Sequence, residues 1–123
     1  MRLLLDTHAL IWWDEGHGLH RQAEDAIREA EQVYVSAVSG WEVAVKVSLG
    51  RLKPKRTVAD ATAESGFEEL PLRLHHAERA TDLPWHHRDP FDRMLAAQAL
   101  AERLTIVTRD SAFRPYGVKV IKA

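Results

Sequence analysis

Two acidic residues lie where predicted strands end. Asp6 directly follows the apolar run at residues 3–5, and Asp110 comes three residues after Val107, which ends a second β-prone run. In open parallel sheets, ligands bind in the crevice outside the carboxyl ends of the strands. We therefore expect the side chains of Asp6 and Asp110 to project from the same edge of a sheet.

Two further acidic residues are predicted to lie early in helices beside that edge. Glu42 falls near the start of a helix predicted from about residue 37 to 49, after a strand at residues 33–35. Asp92 falls in the first turn of a helix predicted from about residue 90 to 103. The sequence therefore predicts that four carboxylates face one crevice.

Carboxylates that converge in this way need a compensating charge. At about 5 Å and an effective dielectric constant near 20, each pair of ionised carboxylates repels by about 3 kcal/mol. A divalent cation relieves this repulsion, as does protonation of some of the acids. The sequence has no Cys, and oxygen ligands favour Mg²⁺ or Mn²⁺. Such a site supports metal-assisted hydrolysis of a phosphodiester, with a metal-activated water as the nucleophile.

Several of these acids also fit a purely structural role. Ser39 and Glu42 have the spacing of a capping box. Asp89 is a suitable helix N-cap, and the negative charge of Asp92 complements the dipole of the helix that follows. Asp110 can start a turn. For each of these residues taken singly, the structural role is an open alternative.

Asp6 is the acid for which the sequence offers no structural role. Thr7 is available to cap the helix that follows, and a carboxylate directly after three leucines is costly to bury. This position is therefore the strongest indication of a functional site. An aspartyl phosphatase with Asp6 as its nucleophile is disfavoured, because that chemistry generally uses a second acid two residues on, where His8 stands.

Length and composition describe an ordinary globular protein. The chain has 123 residues, with 17 Lys+Arg, 18 Asp+Glu and a formal net charge of -1. This length suits a single domain over residues 1–123. Without Cys, a disulfide scaffold, a thiol nucleophile and an iron–sulfur cluster are excluded.

The most apolar stretch, residues 3–13, is too short for a membrane span and lacks a signal-peptide cleavage site, so we expect a cytoplasmic protein.

Short apolar runs alternate with longer helical stretches along the chain. This alternation predicts an α/β fold with a mainly parallel sheet. Strands are predicted at residues 3–5, 33–35, 67–72, 104–107 and 118–121. Helices are predicted at about residues 7–13, 19–31, 37–49, 57–64, 75–81 and 90–103.

A basic run follows the helix that carries Glu42. The near-zero net charge argues against a nucleic-acid binder that depends on bulk positive charge. However, five cations and no acid lie between residues 46 and 59, namely Lys46, Arg51, Lys53, Lys55 and Arg56. They could guide an RNA backbone, although a solvated basic loop is the commoner explanation. For Lys46, four residues after Glu42, we favour a local ion pair over a contact with substrate phosphate.

Histidines occur in two adjacent pairs, at residues 75–76 and 86–87. Adjacent residues do not face the same way on a helix or strand, so a His-ligated metal site is disfavoured. His87 or Arg88 could instead line the crevice. 

Hydroxyl and indole side chains also lie near the predicted site. Thr7 and Thr108 could each hydrogen-bond a ligating carboxylate or cap a helix or turn. Trp12, Trp13 and Trp41 are expected in the core or a dimer interface rather than as platforms for base stacking.

Five blocks of this sequence together resemble one family. They are LLLDTHALIW at residues 3–12, SAVSGWEVAVK at 36–46, GRL at 50–52, HRDPFDRMLAAQA at 87–99 and IVTRD at 106–110. In this order they are similar to the PIN-domain ribonucleases of the VapC toxin type, and they span nearly the whole chain.

The resemblance implies a three-layer α/β/α fold and an endoribonuclease that depends on Mg²⁺ or Mn²⁺. It implies that Asp6, Glu42, Asp92 and Asp110 form the acidic quartet. As our own hypothesis, Asp6 and Asp92 are the main ligands, Glu42 binds metal or orients the water, and Asp110 holds a second or substrate-bound ion. Asp89 is expected to cap its helix first and to act outside the ligand set second.

The resemblance also implies partners. These are an RNA substrate and a cognate antitoxin whose tail occupies the acidic groove. A homodimer that assembles further with the antitoxin is expected, with DNA contacted only through the antitoxin. A PIN-like domain that binds RNA or an antitoxin without cleaving RNA is the alternative.

Overall fold

The centre of the protein is a five-stranded parallel sheet. The computed structural model describes all residues from 1 to 123. The strands are β1 (Arg2–Leu5), β2 (Gln32–Ser36), β3 (Glu68–Leu70), β4 (Thr105–Thr108) and β5 (Val120–Lys122). They are ordered β3-β2-β1-β4-β5, and every neighbouring pair is parallel. The predicted mainly parallel sheet is therefore confirmed.

Helices cover both faces of the sheet. They are α1 (Thr7–Glu15), α2 (Arg21–Glu29), α3 (Ala37–Ser48), α4 (Val58–Glu64), α5 (Leu74–Thr81) and α6 (Pro90–Glu102), and a short 3₁₀ helix covers Ser111–Tyr116. The predicted three-layer α/β/α architecture is confirmed. The longest helix has 13 residues, and none of the helices combines the length and apolar character that a membrane crossing requires.

The sheet separates two apolar cores. Successive residues of a strand point to opposite faces, so Leu3 and Leu5 pack in one core and Leu4 in the other. The first core includes Ala9 of α1 and residues of α2, and the second includes Leu95 of α6. All three leucines of β1 are fully buried, which fixes this strand at the centre of the sheet.

Most predicted elements are present, with changes at their ends. The helix predicted to end near residue 13 continues to Glu15, because the left-handed residue that stops it is Gly16 at φ 81°. The third strand is shorter than predicted. At residues 111–116, where the structure has a 3₁₀ helix, the sequence predicts only a turn that begins at Asp110. The segment contains Pro115 and has no helical repeat of apolar residues.

A buried arginine holds the segment between α5 and α6. Arg93 is 6% exposed, and its guanidinium donates to the main-chain oxygens of Ala80 (2.9 Å), Leu83 (3.2 Å) and Pro84 (2.9 Å). The guanidinium also stacks on Trp85, with its Cζ 3.7 Å from the centre of the ring. These bonds fix the path of the chain just before the start of α6.

We expect Arg93→Met to lower the free energy of unfolding by about 2 kcal/mol, because it removes the hydrogen bonds that a buried guanidinium donates to three main-chain oxygens. Urea denaturation would measure the change. Arg79→Met, on the exposed surface of α5, is the control and should leave the midpoint almost unchanged. Equal midpoints for the Arg93 variant and the unmodified protein would show that this network does not stabilise the fold.

Candidate active site

The four predicted acids line one cavity at the carboxyl ends of the strands. The cavity measures about 290 Å³, and its lining includes Asp6, Glu42, Asp92 and Asp110. Its ten lining residues also include Thr7, His8, Trp12, Lys46, Asp89 and Arg109. Only one of the ten is hydrophobic. The sheet and the helix starts therefore bring together the side chains that the sequence selected.

Asp6 lies between β1 and α1 and is 7% exposed. Its Oδ1 accepts a hydrogen bond from the Ala9 N–H at 2.8 Å, so Asp6 is the N-cap of α1. The prediction that Thr7 caps this helix, leaving Asp6 without a structural role, is wrong. Burial raises the pKa of Asp6, even though hydrogen bonds from Thr108 and Ala9 oppose that rise.

Glu42 is held by two side chains. It is 4% exposed, and its Oε1 accepts from the Thr7 hydroxyl at 2.6 Å. Its Oε2 pairs with Lys46 Nζ at 2.6 Å, which confirms the predicted local ion pair. Both carboxylate oxygens are therefore fixed, and the carboxylate keeps a charged partner at the cavity wall.

The start of α3 corrects the capping-box interpretation of Glu42. Ser36 caps this helix, since its Oγ accepts from the Val38 N–H at 2.9 Å. Ser39 lies inside the helix, and its hydroxyl oxygen is 3.0 Å from Thr7 Oγ1. The Ser-x-x-Glu pattern indicates the wrong N-cap, because α3 begins earlier, at Ala37, directly after Ser36. Glu42 is thus free of a capping role.

His87 bridges two of the acids across the cavity. Its Nε2 lies 2.6 Å from Asp110 Oδ2 and 3.1 Å from Asp92 Oδ2. Its Nδ1 accepts from the Asp89 N–H at 3.2 Å, so Nε2 carries the proton that the carboxylates share. The sequence offered His87 only as a residue that lines the crevice. Its direct contact with Asp110 joins two loops that are distant in sequence.

The pKa values of Asp92 and Asp110 are shifted in opposite directions by this environment. Burial, followed by the charge of Asp89, raises the pKa of Asp92 to about 7, while His87 opposes the rise. Burial alone would also raise the pKa of Asp110, but the Ala112 N–H and His87 outweigh it and lower that pKa. The two carboxylates that share His87 therefore differ in how easily they ionise.

Two further predicted residues, Asp89 and Thr108, position the acids through hydrogen bonds. Asp89 caps α6, with its Oδ1 accepting from the Phe91 N–H at 2.8 Å and the Asp92 N–H at 3.1 Å. Thr108 Oγ1 accepts from the Asp110 N–H at 3.0 Å, and the Thr108 side chain also hydrogen-bonds Asp6. The capping role predicted for Asp89 is confirmed, and Thr108 links two acids of the quartet.

The donor set fits a hard divalent cation. The charges of Glu42 and Asp6 both contribute to the raised pKa of Asp92, so the acids repel one another across the cavity. An oxygen-rich cavity with excess negative charge favours Mg²⁺ or Mn²⁺. A nitrogen ligand from His87 is disfavoured, because its Nδ1 already accepts a hydrogen bond and its Nε2 carries the proton.

A second cluster of metal-ligand side chains lies between α5 and α6. The Nε2 atoms of His75 and His76 lie 3.2 Å and 2.9 Å from Glu102 Oε2. The prediction that adjacent histidines face apart is wrong here, because both rings turn toward the end of α6. His76 Nδ1 accepts from the Arg73 N–H at 3.0 Å, so its Nε2 is a donor and not a free ligand. This cluster ties the two helices together.

The basic run is partly neutralised within the protein. Arg56 pairs with Asp14 at 2.7 Å and also with Glu64. The cations of the run that have no such ion pair are Arg51, Lys53 and Lys55, all exposed. Among the tryptophans, Trp12 and Trp13 pack against the first core, as predicted. Trp41, in contrast, is 65% exposed, so the core is excluded for that residue and a place in a dimer interface stays a prediction.

The parallel sheet between helical layers and the acidic cavity at its carboxyl edge define an α/β protein with a candidate metal centre. The family model described as the PIN domain matches residues 3–119. The chain belongs to the PIN-domain family.

Individual relatives agree with this assignment. The chain is 29% identical over 119 residues to ribonuclease VapC22 of Mycobacterium tuberculosis, covering 93% of this chain and 91% of that protein. Its fold is similar to DNA-bound VapBC from Salmonella typhimurium, with a TM-score of 0.72, 18% identity and coverage of 98% and 97% of the two chains. It is also similar to a toxin–antitoxin complex from Klebsiella pneumoniae, with a TM-score of 0.67, 24% identity and coverage of 98% and 96%. The resemblance to VapC-type PIN domains is confirmed, and it supports a nuclease.

Proposed function

We propose that this protein is an endoribonuclease that depends on Mg²⁺ or Mn²⁺ and acts as the toxin of a toxin–antitoxin pair. The observation that carries the proposal is the placement of Asp6, Glu42, Asp92 and Asp110 around one cavity of a PIN domain. Residues 1–123 form a single nuclease domain in this proposal. The name of the ribonuclease relative supports RNA as the substrate.

Asp6 and Asp92 are the main candidates to hold the ion, with Glu42 and Asp110 completing the set. The raised pKa values of Asp6 and Asp92 support this role, because they mark carboxylates in need of a positive partner. When bound, the ion supplies an activated water and stabilises the charge that develops on the oxygens of the phosphodiester.

The other residues of the cavity orient the acids. Thr7 and Lys46 hold the two oxygens of Glu42, so its carboxylate cannot rotate freely. His87 holds Asp110 through Nε2, while Asp89 fixes the first turn of the helix that carries Asp92. Hydrogen bonds of this kind to ligating groups typically change metal affinity or activity by about 10- to 100-fold when removed.

The structural relatives support the partners that we propose. Those from Salmonella typhimurium and Klebsiella pneumoniae are described as VapBC and as a toxin–antitoxin complex, and the former is bound to DNA. By analogy, a cognate antitoxin covers the acidic groove of this protein, which forms a homodimer and a larger complex with the antitoxin. The antitoxin, rather than this chain, contacts DNA. The proposed location is the cytoplasm.

Incubation of the purified protein with end-labelled RNA tests the activity directly. We expect internal cuts in MgCl₂ or MnCl₂, none in EDTA, and recovery when the metal is added back in excess. Labels at the 5′ and the 3′ end in separate reactions distinguish endonucleolytic from exonucleolytic products. Cleavage that persists in EDTA would contradict metal dependence. Tight RNA binding without turnover in any metal would favour the non-cleaving alternative.

A further inference from the structure

One cation of the cavity has no carboxylate partner. Arg109 directly follows β4 and lines the cavity beside Asp110. Its Nε donates to the main-chain oxygen of Ala123 at 2.9 Å, and its Nη2 donates to the main-chain oxygen of Gly18. Its Cζ lies 3.9 Å from the ring centre of Trp12. The guanidinium is therefore held by main-chain oxygens and an aromatic face.

The contrast with Lys46 shows what this arrangement leaves available. Lys46, the other Lys or Arg of the cavity, is committed to Glu42 at 2.6 Å. Arg109 forms no ion pair although five acids line the same cavity. A guanidinium has five N–H donors, and two of those in Arg109 are used by the main-chain oxygens. Its remaining donors and its charge are therefore available to a ligand.

Gly18 makes the fixed position of Arg109 possible. A Cβ atom on Gly18 would lie 2.7 Å from Trp12 Cδ1, so only glycine allows the backbone to approach the indole this closely. The same glycine has φ 107°, which other residues rarely adopt. Its carbonyl and the Trp12 ring together hold Arg109 in place before any ligand arrives. A guanidinium fixed in this way loses little conformational entropy on binding.

The chemistry of this position favours a phosphodiester. The planar fork of an arginine matches two phosphate oxygens. An RNA strand that enters a cavity lined by five acids meets repulsion on either side of the bound cation, and a fixed positive charge at the rim relieves it. We propose that Arg109 binds a backbone phosphate of the RNA strand next to the one held at the carboxylates. This inference rests on the proposed function, since it takes RNA as the ligand.

Binding measurements on single variants test the role of Arg109. The probe is a fluorescein-labelled single-stranded oligoribonucleotide of mixed sequence, and its anisotropy is followed in CaCl₂ over a series of KCl concentrations. We expect Arg109→Gln to weaken binding by about 10-fold. We also expect the slope of log affinity against log salt to fall by about 0.7, the value for one phosphate contact on a single strand.

Arg103→Gln is the matched control. Arg103 is exposed and lines a different cavity together with Met1 and Lys119, at the opposite edge of the sheet, and the substitution removes the same charge. It should leave both affinity and slope close to those of the unmodified protein. Equal losses in the two variants would show a general charge effect and overturn the proposal. No loss in either would overturn it as well.

Arg109→Lys is a second variant, which keeps the test decisive if Arg109→Gln fails to fold. Lysine keeps the charge without the planar fork, so we expect a several-fold loss of affinity with an unchanged salt slope. An affinity equal to that of the unmodified protein would contradict the proposed fork. Thermal unfolding of each variant shows whether the fold is intact. Because binding is measured without turnover, absence of RNA cleavage would count against the nuclease proposal while the comparison of Arg109 variants still stands.

Discussion

Asp6→Asn should abolish metal-dependent RNA cleavage, with a loss of more than about 100-fold, while the fold stays intact. The loss exceeds the roughly 10- to 100-fold typical of residues that only support a ligand. Asparagine keeps an Oδ1 that can accept from the Ala9 N–H, so the N-cap of α1 is preserved. It removes the buried negative charge that a cation requires. Activity and stability should therefore separate in this variant.

Cleavage rates at saturating Mn²⁺, together with thermal unfolding in EDTA, measure the two effects. We expect the metal-free Asp6→Asn variant to be at least as stable as the unmodified protein, because burial disfavours the ionised Asp6. Asp25→Asn, on the exposed side of α2, is the matched control and should leave both quantities unchanged. Full activity in the Asp6 variant would remove Asp6 from the proposed ligand set.

The metal-free protein should lose stability as the pH rises from about 4 to above 7. The pKa of Asp92 is about 7 in the folded protein, against the ordinary aspartate value of 3.8. Between these values the folded state binds more protons than the unfolded state, so the free energy of unfolding decreases as the pH rises. The shift corresponds to a decrease on the order of 4 kcal/mol. Asp6 changes in the same direction.

Urea denaturation in EDTA at a series of pH values measures this decrease. Asp92→Asn is the informative variant, since it should reduce the slope between pH 4 and 7 to the part that Asp6 contributes. Below about pH 4 the lowered pKa values of Asp110 and Glu102 act oppositely, because their stabilisation is lost as the pH falls. A profile that is flat in both proteins would show that neither burial nor the neighbouring acids raise the pKa of Asp92.

Mn²⁺ should reverse the loss of stability at high pH. An ion that binds only the folded state raises the melting temperature. Ionised carboxylates are required for this binding, so the increase should be larger at pH 8 than at pH 5.5. Ion binding to the wild-type chain but not to Asp92→Asn would support the proposed site. Equal increases in both proteins would place the ion elsewhere.

The fold was largely predictable because local patterns and tertiary packing agree. Three leucines in a row indicated a fully buried strand, and β1 lies at the centre of the sheet with both faces covered. Asp89 followed by Pro90 indicated a helix start, and α6 begins there with Asp89 as its N-cap. The rule that ligands bind at the carboxyl ends of parallel strands then placed Asp6 and Asp110 at the same edge.

The finer arrangement of the site depends on contacts between distant residues, which a single sequence does not record. Nothing local to His87 indicates that its ring reaches Asp110 across the cavity. Likewise, the stacking of Arg109 on Trp12 joins opposite ends of the chain. The sequence could not decide whether Asp6 or Thr7 is the N-cap of α1, because the two are adjacent and both side chains can accept a hydrogen bond from the first turn.

The order of the strands has a consequence for when activity can arise during synthesis. Strand β1, which Asp6 follows, is the first to be made, but one of its two neighbours in the sheet is β4, which begins only at Thr105. Asp6 and Asp110 therefore cannot face each other until residue 110 has left the ribosome. The carboxylates that we propose to bind the metal ion are therefore brought together only after β4 has been made.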